Sequence, residues 1–191
     1  MSEETTRTVL VVDDEPNVAE AYSLWLTDEY TVRTATGGEA ALEELDETVD
    51  VVLLDRRMPD LTGDEVLERI REGGFSCRVA MVTAVDPDFD IVDMAFDAYL
   101  VKPVTQEELN ETVQRLLRLS TYDQQSQEYF SLAARRATLE AEKTDRELES
   151  SDEYATLTTE LDQLQAEMDA TIEELDTSDF ETMFQDLSEG E

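Results

Sequence analysis

The 191-residue sequence predicts a doubly wound α/β domain with a five-stranded parallel sheet, followed by an α-helical hairpin or coiled coil. Short runs rich in Val and Leu recur without polar alternation, as in strands that are buried on both faces of a sheet. Amphipathic segments separate these runs, which is the βαβ pattern. No Pro or Gly occurs from Val104 to Ser188, so the second part of the chain can be helical throughout.

Five strands are predicted from the apolar runs, at residues 8–12, 30–35, 50–54, 78–82 and 98–101. Residues 51–54 of the third run are uniformly apolar and indicate a central strand, whereas the run at 30–35 alternates more. Right-handed crossovers place helices on both faces of such a sheet. We expect the strand order 2-1-3-4-5, which is one of the common orders of doubly wound sheets.

Helices are predicted between the strands. Pro16 opens the first helix at a position where its missing N–H costs nothing, and Gly73-Gly74 ends the third. A short fourth helix is expected to start at Pro87 and to continue through Met94. The fifth, at residues 105–119, begins with a Ser/Thr-x-x-Glu capping box. The apolar face of the first helix is predicted to consist of Ala19, Tyr22, Leu24, Trp25 and Leu26.

Polar residues follow four of the predicted strands: Asp13 and Asp14, Asp55, Thr83, and Lys102. The first and third strands are neighbours at the point where strand order reverses, which is where ligands bind in such sheets. The three carboxylates should therefore converge. Taken alone, Asp55 also fits a helix N-cap or an Asx turn, but the joint pattern favours a site.

Three carboxylates at close range repel one another unless a cation lies between them, and Mg²⁺ prefers such ligands. With Mg²⁺ in place, Asp55 would attack a phosphoryl group in line and form an acyl phosphate. Thr83 would hydrogen-bond one phosphoryl oxygen, and Lys102 would pair with another as a point charge.

Residues 7–119 resemble the receiver domain of two-component response regulators, which has a flavodoxin-like fold. The matching residues are Asp13-Asp14, Asp55 followed by Met58-Pro59 and Gly63, Thr83, and Lys102-Pro103. The resemblance implies that Asp55 is the phosphoacceptor and that Asp13, Asp14, Asp55 and the backbone carbonyl of Arg57 hold Mg²⁺. It also implies that a partner histidine kinase is the donor, and that the only catalysis is the chain's own phosphorylation and dephosphorylation.

Tyr99 matches the aromatic switch position of that family. Phosphorylation would pull Thr83 inward and let Tyr99 turn into the space that it leaves. Tyr99 also fits an edge-strand aromatic that packs against the last helix. The stretch between Thr83 and Lys102 is shorter than usual, which puts the length of the fourth helix in question. Arg57 is also unusual at its position, and we hypothesise that it leans toward the phosphoryl group and changes the lifetime of the acyl phosphate.

Composition limits the possible functions. The net charge of −35 is typical of proteins adapted to molar salt, where the Debye length is roughly 3 Å. Disorder is the alternative, but the regular apolar patterning argues against it. The chain has no histidine, which excludes histidine-dependent triads and a phosphohistidine of its own. Cys77 fits a small core residue, and without a signal peptide or membrane span a soluble cytoplasmic protein is expected.

Residues 120–178 are predicted to form a helical output or dimerisation domain. Ser120-Thr121 hints at its start, and the alternative is a helix that runs straight out of the first domain. Tyr129, Phe130 and Leu132 begin a first apolar stripe, and residues 150–153 indicate a cap and turn. A near-heptad seam follows, consisting of Tyr154, Leu157, Leu161, Leu164, Met168, Ile172 and Leu175. An antiparallel hairpin that pairs with a second copy would bury both stripes.

This second part is similar to the HalX domain, which follows receivers in haloarchaeal proteins. Residues 121–191 carry 21 acidic and 4 basic side chains, a balance that opposes DNA binding. It does not exclude DNA, because counterion release contributes little in molar salt. Residues 179–191 are expected to be a flexible acidic tail, the alternative being a docking helix with Phe180, Met183, Phe184 and Leu187.

Three functions fit the sequence to different degrees. The first is a response regulator that switches its C-terminal helices toward homodimerisation or a partner protein. The alternative is a phosphorylation-controlled transcription regulator that contacts DNA. A Mg²⁺-dependent phosphatase of the same topology is the weakest, because Thr83 and Lys102 fit the receiver set and no lid is evident.

Overall fold

A computed structural model of the protein describes residues 6–175. Its sheet has five parallel strands in the order β2-β1-β3-β4-β5, as predicted. The strands are β1 (Thr8–Val12), β2 (Thr31–Ala35), β3 (Val51–Leu54), β4 (Arg78–Thr83) and β5 (Ala98–Val101). Every residue of β1, β3 and β4 is buried, whereas β2 lies at an edge and is partly exposed. The strands richest in apolar residues are therefore the inner ones.

Three α-helices connect the strands of the first part: α1 (Pro16–Leu26), α2 (Gly38–Glu44) and α3 (Gly63–Glu72). The apolar faces of α2 and α3 pack against the sheet core, where Val52, Leu54 and Met81 are almost completely buried. The prediction that Leu24 belongs to the apolar face of α1 is wrong, because this side chain is 69% exposed. It lies two residues from both Tyr22 and Leu26, so the helical twist turns it away from the face that they share.

The predicted fourth helix is wrong. The stretch after β4 contains only a 3-10 turn at Phe89–Ile91, whose first N–H is capped by the Asp88 carboxylate. Phe89 is 91% exposed, so the apolar pattern there does not mark a buried face. Met94 and Phe96 instead pack against the sheet core. None of residues 84–90 is buried, so this stretch lacks the packed apolar face that stabilises a helix on a sheet.

Helix α4 (Gln106–Glu142) is continuous, so the predicted end near Leu119 is wrong and the alternative of an uninterrupted helix is correct. Thr105 and Glu108 form the predicted capping box at its start. The residues Ser120-Thr121 can cap a helix but do not break one. By its contacts, the chain divides into two compact units, Met1–Leu117 and Arg118–Glu191, with the division inside α4.

Within the second unit, α4 is followed by the short α5 (Asp145–Glu149) and by α6 (Asp152–Glu174). Tyr154 donates a hydrogen bond to Glu140, and Thr171 donates one to Gln125, so α6 runs antiparallel to the later part of α4. The core between these two helices consists of Leu132, Leu161 and Leu164, with Tyr129, Ala133 and Leu157 packed around them. The predicted hairpin is therefore present, although α5 was not predicted.

Not all of the predicted first stripe is buried, since Phe130 is 68% exposed. Ser151 caps α6 as predicted, by accepting a hydrogen bond from the N–H of Tyr154. The predicted tail at 179–191 lies outside the described residues. Within the described part of the chain, no helix is both long and apolar enough to cross a bilayer.

Candidate functional site

Three carboxylates meet where β1 and β3 end. Val12 and Leu54 are register partners, so the residues that follow them, Asp13 and Asp55, leave the sheet side by side. The N–H of Asp55 donates to the carbonyl of Val12 at 2.9 Å and fixes this register. Carboxylate oxygens of Asp13, Asp14 and Asp55 lie within 4.8 Å of one another. Asp13 and Asp55 are buried and Asp14 is half-buried, so the cluster opens outward on one side.

Lys102 balances part of this negative charge. Its Nζ lies 2.6 Å from Oδ2 of Asp13 and 3.4 Å from Oδ2 of Asp55. Burial lowers the pKa of Lys102, but its hydrogen bond to Asp13 and the charge of Asp55 outweigh burial and raise the pKa overall. The ammonium is therefore a fixed positive charge and not a proton donor near neutral pH. The peptide bond from Lys102 to Pro103 is cis.

Thr83, at the end of β4, lies near a second predicted residue. Its buried hydroxyl accepts a hydrogen bond from the N–H of Val85 at 3.3 Å. The carbonyl of Val85 in turn accepts from the Tyr99 hydroxyl at 2.7 Å. The Tyr99 ring contacts the Phe96 ring, with 5.5 Å between their centroids. Val85 therefore links the predicted switch residues Thr83 and Tyr99, whose roles remain predictions.

A cleft of about 440 Å³ opens beside the cluster. It is wide enough for a phosphoryl group and several waters, and it exposes both acidic and basic side chains. The Arg57 side chain is exposed and lines this cleft, and its effect on the acyl phosphate remains a hypothesis. The role of the Arg57 carbonyl as a metal ligand remains a prediction. The cleft is lined by Asp14, Glu15, Asp55, Arg57, Thr83, Ala84, Val85, Asp86 and Lys102.

The loop after β3 is held against the acceptor strand by Gly63. A Cβ at this position would lie 2.1 Å from the carbonyl oxygen of Asp55, so no larger residue fits without a backbone shift. The N–H of Gly63 donates to the carbonyl of Arg56 at 2.8 Å. Thr62 and Glu65 form a capping box on α3 immediately beside it. The backbone of Asp55 is thus packed against the start of α3.

Two buried ion-pair centres were not predicted from the sequence, one beside the site at Arg56 and one at the opposite edge of the sheet at Asp97. The Arg56 guanidinium binds Asp64 and Asp90, and these hydrogen bonds, led by that of Asp64, raise the pKa of Arg56. The Asp97 carboxylate, 5% exposed, accepts hydrogen bonds from Arg71 and Arg78 and from a backbone N–H of β4. The sequence indicates only that arginines will form ion pairs, because it has 49 acidic and 14 basic residues, and it does not indicate with which carboxylates.

Two family models match the chain. The response regulator receiver domain matches residues 9–114, and the HalX domain matches residues 118–184. The receiver match covers more than half of the chain, and the HalX match covers most of the second unit.

The chain is similar to longer proteins whose names refer to regulation of transcription. It is 58% identical over 134 residues to a Haloferax volcanii protein whose name suggests a transcriptional regulator, covering 70% of this chain and 23% of that protein. It is 36% identical over 118 residues to the alkaline phosphatase synthesis transcriptional regulatory protein PhoP of Bacillus subtilis, covering 59% of this chain and 49% of PhoP. The chain therefore spans half or less of these relatives.

Solved structures of receiver domains share the fold. The response regulator TrrA of Thermotoga maritima, crystallised with Mg²⁺ and beryllium fluoride, is 36% identical with a TM-score of 0.52, covering 58% of this chain and 99% of TrrA. A receiver domain protein of Methanospirillum hungatei is 23% identical with a TM-score of 0.58, covering 62% of this chain and 98% of that chain. The second likeness concerns the fold alone.

Proposed function

The chain belongs to the response regulator receiver family, and on that premise we propose that it is a phosphorylation switch with Asp55 as its phosphoacceptor. The observation that carries the proposal is the meeting of three carboxylates, Lys102 and Thr83 at one cleft. The matched family is a receiver family and not an enzyme family. The only reaction that we propose is the chain's own phosphorylation and dephosphorylation.

The donor set of the cluster fits Mg²⁺. This ion takes one or two carboxylates directly and keeps several waters, and the oxygens of Asp13, Asp14 and Asp55 lie close together beside an open cleft. We propose that these three residues hold the ion together with the Arg57 carbonyl. When bound, Mg²⁺ would supply positive charge that offsets the charge of the phosphoryl oxygens.

The proposed transfer moves one phosphoryl group between two chains. An oxygen of Asp55 forms a bond to phosphorus, the P–N bond of a phosphohistidine breaks, and the electron pair returns to the imidazole nitrogen of the donor. We propose that the donor is a partner histidine kinase, since the 191 residues contain no histidine that could carry the phosphoryl group. We expect the encounter to occur in the cytoplasm.

Two side chains of the cleft have proposed roles toward the transferred group. The Lys102 ammonium, now 3.4 Å from Asp55, would pair with a phosphoryl oxygen as a point charge. The Thr83 hydroxyl already accepts from a backbone N–H, so its own proton is free to be donated to another phosphoryl oxygen. Because Val85 connects Thr83 to Tyr99, movement of Thr83 would be transmitted to the Tyr99 hydroxyl.

The phosphoacceptor assignment is tested by intact-protein mass after incubation with acetyl phosphate and Mg²⁺ in molar potassium chloride. Wild type should gain one phosphoryl group, and Asp55→Asn should gain none. Asp28→Asn, which alters an exposed aspartate outside the cleft, should behave like wild type. Modification of Asp55→Asn at the wild-type level, or none of wild type, would exclude Asp55 as the acceptor.

The C-terminal helices are the proposed output. We propose a receiver domain at 7–119 and a helical domain at 120–178 that forms homodimers or binds a partner protein. The exposed Phe130 on the hairpin supports an interaction surface. A DNA-binding output is the second candidate, because the names of two relatives refer to transcription. The acidic charge of residues 121–191 weighs against it.

Light scattering and DNA binding separate these outputs. A phosphodonor-dependent increase in mass for wild type, absent in Asp55→Asn, would support dimerisation. A constant mass with phosphodonor-dependent retention of duplex DNA in molar salt would support the DNA-binding output instead. Phe130→Ser should weaken dimerisation if the hairpin is the interface, and Leu24→Ser is its matched control on an exposed leucine of the first unit.

A further inference from the structure

Arg56 follows the proposed phosphoacceptor directly, yet it has no part in the transfer described above. Its side chain is only 10% exposed. Nε donates to the two oxygens of Asp64 at 2.9 and 3.2 Å, and Nη2 donates to Asp64 at 3.1 Å. Nη2 also donates to Asp90. One buried guanidinium therefore joins the end of the acceptor strand to the first turn of α3 and to the 3-10 turn.

Asp90 lies at the far end of the segment 83–90, which we call the cleft wall because its first residues line the cleft. The first four residues of this wall line the cleft, and none of residues 84–90 is buried. Apolar packing therefore does not hold the wall in place. Near Thr83 the wall is held by the hydrogen bonds of Val85. At its other end it is held by the ion pair between Asp90 and Arg56.

We propose that Arg56 is a positioning residue that holds the cleft wall in its resting position through Asp90, and that this ion pair slows phosphorylation of Asp55. The inference rests on the proposed function. The pair links the acceptor strand to the wall that carries Thr83, across 34 residues of sequence.

Loss of the Arg56–Asp90 ion pair should speed phosphorylation of Asp55, because the pair opposes movement of the cleft wall. In the proposed switch Thr83 moves toward a phosphoryl oxygen on Asp55, and we expect the residues that follow it to move with it. An ion pair made only in the resting position lowers the population of the shifted state, so losing the pair raises that population. Asp64 continues to hold the guanidinium when Asp90 is replaced. Removal of Asp90 therefore does not leave a buried charge unpaired, and the fold is preserved.

The test compares initial rates of phosphorylation by acetyl phosphate in the full chain, with saturating Mg²⁺ and molar potassium chloride. Asp90→Asn should react about two- to fivefold faster than wild type, the range expected for loss of a half-exposed ion pair. Asp90→Glu keeps the carboxylate and should restore a rate close to that of wild type. Asp93→Asn removes the same charge from a neighbouring exposed position and should leave the rate unchanged.

Hydrogen exchange provides a readout that needs no phosphodonor. The amides of residues 84–92 should exchange faster in Asp90→Asn than in wild type and Asp93→Asn. An unchanged or slower phosphorylation rate in Asp90→Asn, or equal acceleration by Asp93→Asn, would overturn the inference. If wild type accepts no phosphoryl group, the proposed function fails, and unchanged exchange in Asp90→Asn would then separately overturn the role of the ion pair.

Discussion

Lys102 is bound to two buried carboxylates, so its replacement by methionine should make the stability of the first unit depend on Mg²⁺. Like charges 4.8 Å apart repel by roughly 3–4 kcal/mol at an effective dielectric constant of about 20. Removing one partner of a buried pair costs about 3–5 kcal/mol. Since the Asp13 side chain is 3% exposed and Lys102 is 16% exposed, we expect a loss near the lower limit, about 3 kcal/mol without Mg²⁺.

The assay is urea unfolding in molar potassium chloride, with EDTA or with increasing Mg²⁺. The single tryptophan, Trp25, lies on α1 in contact with Tyr22 and reports the first unit. Mg²⁺ binding to the folded state should stabilise the variant more than wild type, because the ion no longer competes with an ammonium group. Lys143→Met is the matched control, since the only other lysine forms an exposed pair with Glu147.

Two results would refute this reasoning. Equal stability of Lys102→Met and wild type in EDTA would mean that Lys102 does not neutralise the carboxylates. Equal stabilisation of both proteins by Mg²⁺ would mean that the ion does not bind where the ammonium lies. Lys143→Met should change the unfolding free energy by less than about 0.5 kcal/mol.

Three further predictions concern Gly63 beside the site and two residues at the opposite edge of the sheet, Cys77 and Asp97. Gly63→Ala should destabilise the first unit by about 1–3 kcal/mol in the same urea assay, while Gly37→Ala, which has open space, should be nearly neutral. Burial raises the pKa of Cys77 from 9.0 to about 11, so the folded protein should resist alkylation at pH 8 until urea unfolds it. The contribution of the protonated Cys77 thiol to the free energy of unfolding is fully present below pH 9 and should be lost as the pH rises toward 11. Asp97→Asn removes the carboxylate that two arginines and one backbone N–H share, and it should cost about 3 kcal/mol, whereas Asp93→Asn should cost almost nothing.

Strands were predictable because their signal is local. In the run at 8–12 the last four residues are apolar and all five are buried, and the predicted bounds coincide with β1. The meeting of Asp13, Asp14 and Asp55 followed from the strand order alone, since parallel strands end at the same edge of the sheet.

Helix lengths were less predictable, because a local pattern does not show what a segment packs against. Phe89 and Val92 look like part of an apolar helical face, but both are exposed, and the segment forms only a 3-10 turn. The continuation of α4 past Ser120 remained one of two alternatives, because Ser and Thr are tolerated both in caps and within helices.

Ion pairs between distant residues could not be predicted at all. Arg56 and Asp90 are 34 residues apart, and Arg78 and Asp97 are 19 apart. With so many carboxylates available, no spacing rule selects the partner of an arginine. Only the folded arrangement of β3, β4 and the segments after them brings these particular side chains together.

The most direct test of the central claim is chemical identification of the acceptor. Wild type treated with acetyl phosphate and Mg²⁺ is reduced with borohydride, which converts an aspartyl phosphate to homoserine, and its peptides are then sequenced by mass spectrometry. The account predicts homoserine at position 55, lost in Lys102→Met or when EDTA replaces Mg²⁺. Homoserine at another aspartate, or at none while wild type still gains the phosphoryl mass, would contradict it.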